Sequence, residues 1–211
     1  MPIVYANVND GYVSSQNANS DTARNAVTGT SVSSSISSAS DSVVANRQSG
    51  RGGGYTYTFI RAFLYFDFRT VVSVPESATL NIYGYVNGGA DIFVVKAESG
   101  IGTLSFSDFD AIDGWTNSGD QESNITKYSD EITSWSASGY NVIPLNAVAL
   151  KDIVGSTLYV CLIESVHDLR NVTPTGSFKN GMYFQNSSGT SKDPYVDYKI
   201  GTPSTFFGAI F

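Results

Sequence analysis

Few residues of this chain have side chains that readily do chemistry. His167 is the only histidine, and it stands in the stretch ESVHDLRN between Ser165 and Asp168. Serine, histidine and aspartate form a hydrolase triad only where the three side chains meet and the serine sits on a strained, glycine-flanked turn. No such turn accompanies Ser165, so we interpret His167 as a solvated loop histidine and assign no catalytic residue.

Metal ligands are equally scarce. Cys161 is the only cysteine and lies in the apolar run TLYVCLIE, which is typical of a small buried hydrophobe. The stretch SDFDAIDGW holds Asp108, Asp110 and Asp113, and oxygen-rich clusters of this type can bind calcium. The glycine and the closing glutamate of an EF-hand loop are missing, however. We favour Asp108 as the cap of a helical turn, keep the three aspartates as a calcium candidate, and predict no cofactor.

Aromatic side chains offer a further way to bind a ligand, because the face of a ring suits the C–H face of a sugar. Tyr83 and Tyr85 lie on the polar side of a predicted strand, which makes them candidates for contact with a glycan. Trp115 and Trp135 stand in a polar, irregular segment between residues 99 and 138. Both tryptophans could also stack on a sugar ring, but we favour a packing role for them.

The scaffold for these residues is a series of strands. In the run 78–86, Leu80 and Ile82 face one way while Tyr83 and Tyr85 face the other, as expected for a sheet with one face in a core. Period-two or continuous apolar runs separated by Gly, Pro, Asn and Ser predict a first strand at 3–8 or 12–15, then 55–68, 78–86, 91–97, 140–145, 157–164, 182–185 and 195–200.

Helix signals are confined to two places. SFSDFDAI predicts one short turn, and NAVALKDI predicts about two turns with Asn146 as the N-cap. The fold class that follows is all-β, a sandwich of two antiparallel sheets with one or two short helices. We expect one domain over residues 1–200, a long Ser/Gly-rich insertion or surface segment at 17–54 that includes an edge strand, and an apolar tail at 201–211.

The most hydrophobic stretch, YTFIRAFLYFDF at 57–68, carries two charges. Even-numbered positions from Ile60 to Phe68 form an unbroken apolar face, whereas Arg61 and Asp67 share the other face with aromatic rings. That second face is too aromatic for open water. We expect it to be covered by the Ser-rich segment, by the loop that carries Trp115 or by another subunit, with Arg61 against a neighbouring ring such as Phe59 or Phe63.

Charge and hydropathy exclude several classes of function. Twelve Lys and Arg against nineteen Asp and Glu give a formal net charge of −7, and no basic run is present to neutralise phosphates, so nucleic acid is not an expected partner. No apolar stretch approaches the roughly 20 residues that span a bilayer. The first residues lack the pattern of a signal peptide, so we predict neither membrane insertion nor secretion by that route.

Four motifs follow one another along the chain: NDGYV at 9–13, IRAFLYFDF at 60–68, VPESATLNIYGYV at 74–86 and DPYVDYKI at 193–200. They occur in the order found in jelly-roll modules of the type called DNRLRE, so the resemblance implies a jelly-roll β-sandwich. The chain resembles these modules over nearly its whole length, although its turn RTVVSVPES and its long Ser-rich segment depart from their pattern. Similar sequences occur in bacterial surface proteins that resemble carbohydrate-binding modules and in virion-associated proteins of tailed bacteriophages. These are packing motifs, so they imply the fold more strongly than the activity.

The resemblance implies a bacteriophage virion structural protein without catalytic activity, such as a capsid decoration, head-fibre or tail-associated subunit that assembles in the host cytoplasm. Its expected partners are other virion proteins and further copies of itself, with a trimer as the working expectation. The apolar residues Phe206, Phe207, Ile210 and Phe211 follow a Gly/Pro hinge. They either fold back to cover their own sandwich or dock onto a neighbouring subunit or the particle, and we predict oligomer or particle docking. The alternative is a carbohydrate-binding or adhesive module that recognises cell-surface glycans, and a polysaccharide-active enzyme is the third hypothesis.

Overall fold

The computed structural model describes residues 1–34, 39–184 and 191–201. Two α-helices occur in these ranges, α1 (Ser20–Arg24) and α2 (Ala147–Asp152), together with a 3-10 turn (Phe106–Asp108) and a π-helical turn (Ser165–Leu169). The strands are β1 (Ile3–Tyr5), β2 (Gly11–Asn17), β3 (Ser31–Ser34), β4 (Ala39–Ser49), β5 (Tyr55–Asp67), β6 (Ser77–Gly88), β7 (Ile92–Lys96), β8 (Tyr140–Pro144), β9 (Thr157–Glu164), β10 (Ser177–Tyr183) and β11 (Tyr195–Lys199).

The long strand β6 belongs to both layers of the fold. In its first half Asn81 lies opposite Tyr195 of β11 on one side and Val142 of β8 on the other. In its second half Gly84 pairs with Met182 of β10. The smaller layer therefore runs β1-β11-β6-β8, and the larger layer runs β6-β10-β4-β5-β2-β3, with β9 beside β5 and β7 beside β9. Every pairing is antiparallel, which confirms the predicted all-β sandwich with few, short helices.

The first hydrophobic core fills the space between the two layers. Strand alternation places Leu64 and Phe66 of β5 on the inner side of the larger layer, and Leu80 and Ile82 of β6 on the inner side of the smaller one. All four side chains are fully buried. At about 1.5 to 3 kcal/mol for each such side chain, this alternation is the main reason why the two layers stay together.

A second core lies on the opposite side of the larger layer. Phe59, Phe63 and Tyr65 of β5 pack there against Phe109 and Ile112 of the long segment between β7 and β8. Ala23 of α1 contributes to the same cluster. The aromatic face of β5 is thus covered by the loop segment that carries Trp115 and by part of the Ser-rich segment, two of the three covers expected from the sequence.

The Ser-rich segment holds more strand than its composition suggests. β3 lies at the edge of the larger layer, as expected of part of this segment. β4, in contrast, is an interior strand between β10 and β5, and its residues Val43, Val44 and Ala45 are buried. The expectation of a surface insertion is therefore wrong for β4, because pairing on both sides and three small apolar residues outweigh the low strand propensity of its serines.

Local signals predict both helical turns between β7 and β9. The Asn146 side chain accepts hydrogen bonds from the backbone N–H groups of Val148 and Ala149, which begins α2 as predicted. The carboxylate of Asp108 accepts hydrogen bonds from the backbone and hydroxyl of Ser105, which holds the predicted turn at 106–108. In the part of the chain that the structure describes, no helix has the length and apolar character that crossing a lipid bilayer requires.

Candidate functional site: a tyrosine row on the smaller layer

Six tyrosines form a continuous row across the outer face of the smaller layer and the adjoining strand β10. Ring centroids lie 5.9 Å apart between Tyr5 and Tyr195, and 5.3 Å apart between Tyr195 and Tyr140. Tyr140 lies 5.2 Å from Tyr83, which in turn lies 5.6 Å from Tyr183. Tyr85 completes this tyrosine row at 6.0 Å from Tyr183. Neighbouring rings meet in tilted or edge-to-face geometry, the arrangement that the charge distribution of aromatic rings favours.

Strand alternation and pairing place these rings together. Tyr83 and Tyr85 occupy the positions of β6 that alternate with the buried Leu80 and Ile82, so both point away from the first core. Register brings Tyr140 of β8 directly opposite Tyr83. On the other side of β6, Tyr195 of β11 lies opposite Asn81, two positions before Tyr83.

A bulge sets the position of Tyr183. The register between β10 and β6 shifts between Gly181 and Met182, which leaves Met182 in the core and turns the ring of Tyr183 toward Tyr83 and Tyr85. Gly181 itself lies close to Tyr85, because a Cβ atom there would come within 3.1 Å of that ring. The absence of a side chain at Gly181 lets the row close up.

Exposure differs along the tyrosine row. Tyr5 is 56% exposed and Tyr85 is 48% exposed at its two ends, whereas the four central rings are half-buried. Desolvation by burial raises the pKa of Tyr140 and of Tyr195, so both hydroxyls stay protonated at neutral pH. These two members of the row therefore present neutral, amphipathic side chains.

One cation lies on the row. The ammonium of Lys192 sits 4.6 Å from the ring centroid of Tyr83 and 4.3 Å from that of Tyr183. The Tyr83 hydroxyl donates to the backbone oxygen of Ser138, and the Tyr140 hydroxyl contacts the backbone oxygen of Ser191 at 3.0 Å. These contacts hold the central rings in place.

The sequence predicted two members of this site and missed the rest. Tyr83 and Tyr85 face outward as predicted, while their contact with a glycan stays a prediction. Tyr195 could have been assigned to an outer face from the alternation in DPYVDYKI, because Val196 beside it is buried. Tyr5 and Tyr140 come from strands elsewhere in the sequence, and nothing local indicates that their rings meet.

Arg24, Arg61 and Asp168 form a buried charge cluster whose contacts link parts of the fold. The guanidinium of Arg61 donates to both carboxylate oxygens of Asp168, at 2.9 Å and 2.7 Å, and all atoms of both side chains are buried. Arg24 donates to the backbone oxygens of Asp168 and Leu169. Desolvation by burial lowers the pKa of Arg24 to about 10, so it remains charged at neutral pH. The cluster joins β5, α1 and the π-helical turn.

Arg61 does not lie against the rings that the sequence suggested. Its guanidinium carbon is 4.1 Å from the ring centroid of Phe109 and 4.0 Å from that of Trp115, not over Phe59 or Phe63. Phe59 and Phe63 point into the second core in the same direction as Arg61 and so lie beside it. The rings of Phe109 and Trp115 come from the loop segment and pack over its guanidinium. Trp115 and Trp135 both act in packing as predicted, the latter by donating from its indole nitrogen to the backbone oxygen of Gly181.

The side chains of Ser165, His167 and Asp168 each contact a different partner. His167 is buried, not solvated as we expected, because its ring packs 4.3 Å from that of Phe178 and its Nδ1 contacts the backbone oxygen of Val172. Ser165 contacts Glu131, and Asp168 is bound to Arg61. Cys161 is buried, and burial raises the pKa of its thiol, in agreement with its interpretation as a hydrophobe.

The three aspartates of the calcium candidate also have separate partners. Asp108 caps the 3-10 turn, Asp110 accepts from the side chain of Asn117, and Asp113 accepts from the hydroxyl of Thr126. Among the residues that the structure describes, no group of three or more His, Cys, Asp or Glu side chains is placed to hold a metal ion.

The predicted docking residues Phe206, Phe207, Ile210 and Phe211 lie outside the described residues, as does Gln185 at the end of the predicted strand 182–185. Their role stays a prediction. Comparison of the chain with protein-family models and with curated proteins finds no match.

Proposed function

We propose that this protein is a non-catalytic module that binds carbohydrate through the tyrosine row. The observation that carries the proposal is the continuous contact of six tyrosine rings on one outer face, with the most exposed rings, Tyr5 and Tyr85, at its ends. Tyrosine offers an apolar ring face to sugar C–H groups and a hydroxyl to sugar hydroxyls.

The fixed central rings support this function. Tyr83 and Tyr140 are held through their hydroxyls, and the ammonium of Lys192 is held over two rings. A surface that is already ordered loses less conformational entropy when a ligand binds. The row crosses several strands, so it suits an extended polysaccharide better than a single small sugar.

The test is binding of soluble polysaccharides and of a glycan array by the intact protein and by Tyr85→Ala and Tyr5→Ala. We expect each substitution to weaken binding about tenfold or more, the loss of about 1.4 kcal/mol typical of an interface tyrosine. Tyr55→Ala is the matched control, because Tyr55 is also exposed at 45% but lies on β5, away from the row. Absence of binding to every glycan, or equal binding by all four proteins, would refute the proposal.

Release of reducing ends from the polysaccharide that binds should be measured in the same experiment. We expect none above the level without protein. The enzyme hypothesis would instead be supported if the intact protein released reducing ends and Tyr5→Ala or Tyr85→Ala abolished this release.

The second proposal is a structural subunit of a bacteriophage virion, with the jelly-roll fold of the modules that the sequence resembles. It is supported by the four motifs in order and by the apolar segment after β11. Both proposals hold together if the subunit displays the tyrosine row on a particle. Detection of the protein in purified particles by mass spectrometry would support this role, and its absence from particles made in cells that express it would refute it.

A further inference from the structure

Lys192 places a positive charge on the tyrosine row. Four of the six lysines in the chain lie in ion pairs with Asp or Glu, namely Lys96, Lys127, Lys179 and Lys199. The described residues include all nineteen Asp and Glu of the chain, and none of these carboxylates lies within ion-pair distance of the Lys192 ammonium. Within the described structure, no acidic side chain neutralises this charge.

The ammonium of Lys192 is held against the rings of the row. It lies 4.6 Å from the ring centroid of Tyr83 and 4.3 Å from that of Tyr183, and its side chain is half-buried. A cation is attracted to the face of an aromatic ring, but a ring face does not replace the acceptors that the three N–H groups of an ammonium can engage. No oxygen of the described residues accepts a hydrogen bond from this ammonium. It is therefore placed to bind an anionic group of a ligand that lies on the rings.

Negative charge lies elsewhere on the same face. Asp197 follows Tyr195 by two positions on β11, so it points outward about 7 Å further along the strand. Its carboxylate accepts hydrogen bonds from two side chains of β6. Asp193, the residue after Lys192, has one carboxylate oxygen buried. The face thus carries an unpaired positive charge at Tyr183 and a negative charge near Tyr195.

We propose that the ligand of the tyrosine row is an acidic heteropolysaccharide, in which a sugar carboxylate binds the ammonium of Lys192 while uncharged sugars of the same polymer lie on Tyr195 and Tyr5. The inference rests on the carbohydrate-binding function proposed above and adds the charge of the ligand. A carboxylate forms a charge-assisted hydrogen bond with an ammonium. A polymer with a carboxylate on every sugar would also bring negative charge against Asp197, which like-charge repulsion disfavours.

Matched polysaccharides test the charge of the ligand. The probes are hyaluronate, xanthan and gellan, in which acidic and neutral sugars are mixed, and polygalacturonate, which is acidic at every sugar. Isothermal titration calorimetry compares each polymer with its carboxyl-reduced form. We expect at least one mixed polymer to bind about tenfold or more tightly than its reduced form, the effect typical of one hydrogen bond to a charged group, and polygalacturonate to show a smaller preference.

The outcomes separate this inference from the function on which it rests. Equal or tighter binding of every reduced form, or binding to neutral glycans alone on the array, would overturn the inference and leave the function of the row intact. A preference for polygalacturonate as large as that for the mixed polymers would overturn the mixed composition. Absence of binding to every glycan would refute both proposals.

Variants of Lys192 then assign the preference to this side chain. We expect Lys192→Gln to lower the affinity for the acidic polymer to that for its reduced form, without changing the latter, and Lys192→Arg to keep the preference. Lys151→Gln is the matched control, because Lys151 also lies in no described ion pair but is exposed on α2, outside the row.

Two results with these variants would contradict the role given to Lys192. An equal loss of both polymer forms in Lys192→Gln would show that the lysine only positions Tyr83 and Tyr183. A loss of preference in Lys151→Gln as large as in Lys192→Gln would assign the effect to the overall charge of the protein.

Discussion

At the scale of single residues, the largest expected loss in free energy of unfolding comes from breaking the Arg61–Asp168 pair. Both side chains are completely removed from water and share two short hydrogen bonds. Such a pair adds little net stability compared with apolar residues of the same size, but loss of one partner leaves a buried charge without compensation. The cluster thus specifies how the loop segment and α1 cover β5.

We expect Asp168→Asn to lower the free energy of unfolding by about 3 to 5 kcal/mol, because Arg24 and Arg61 then lie buried without a counter-charge. Urea denaturation followed by circular dichroism measures the change. Asp67→Asn is the matched control, since Asp67 also pairs with an arginine, Arg69, but at the surface. It should leave the urea midpoint unchanged within error. Equal effects of the two substitutions would contradict the role given to the buried pair.

A second prediction at this scale concerns acid. Hydrogen bonds from Arg170, and next from Lys127, lower the pKa of Glu122 from 4.5 to about 2. A carboxylate with a depressed folded-state pKa stabilises the fold above its unfolded pKa, and this contribution is lost as the pH falls through the folded value. Stability should therefore decline between about pH 4.5 and about pH 2.

Glu122→Gln should flatten the pH dependence of the urea midpoint in that window. Glu98→Gln serves as the control, because Glu98 is exposed and forms no described ion pair. An unchanged slope in Glu122→Gln would show that other carboxylates, such as Glu131 beside the same Arg170, carry the acid sensitivity.

At the scale of elements, β6 depends on a close approach by the segment that contains Trp135 and Ser136 and leads into β8. A Cβ atom on Gly84 would lie 1.8 Å from the backbone oxygen of Ser136 and 2.9 Å from the indole nitrogen of Trp135. Only glycine lets the segment lie against the strand at this point. The position of Trp135 follows from this contact.

We expect Gly84→Ala to destabilise the protein by about 1 to 3 kcal/mol, as overpacking of a tight contact does, and to shift the fluorescence of Trp135. Gly102→Ala is the control, because a Cβ atom at Gly102 meets no other atom within 4 Å. Denaturation curves and emission spectra of both variants measure the effect. A stable Gly84→Ala variant with an unchanged spectrum would show that the segment can move away at no cost.

At the scale of the whole molecule, β5 links the two hydrophobic cores. Phe63 points into the second core and Leu64, the next residue, into the first. The two clusters share the backbone of β5, so a substitution that destabilises one cluster should destabilise the other. We expect the two cores to unfold together.

Leu64→Ala and Phe63→Ala test this coupling. Each should cost about 3 to 5 kcal/mol and shift one cooperative transition, with circular dichroism and tryptophan fluorescence giving the same midpoint. Separate midpoints for the two probes in Phe63→Ala would show that the loop layer unfolds independently of the sandwich.

The sequence by itself determined the features that depend on neighbouring residues. Alternation in the runs 57–68 and 78–86 predicted which side chains of β5 and β6 enter a core, and Asn146 predicted the start of α2. Only the tertiary structure decided that β4 is an interior strand and that Arg61 binds Asp168. The tyrosine row was likewise decided at this level, since it joins residues from Tyr5 to Tyr195. Period and capping act over a few residues, whereas strand order and ring contacts result from pairings between distant segments that no local pattern encodes.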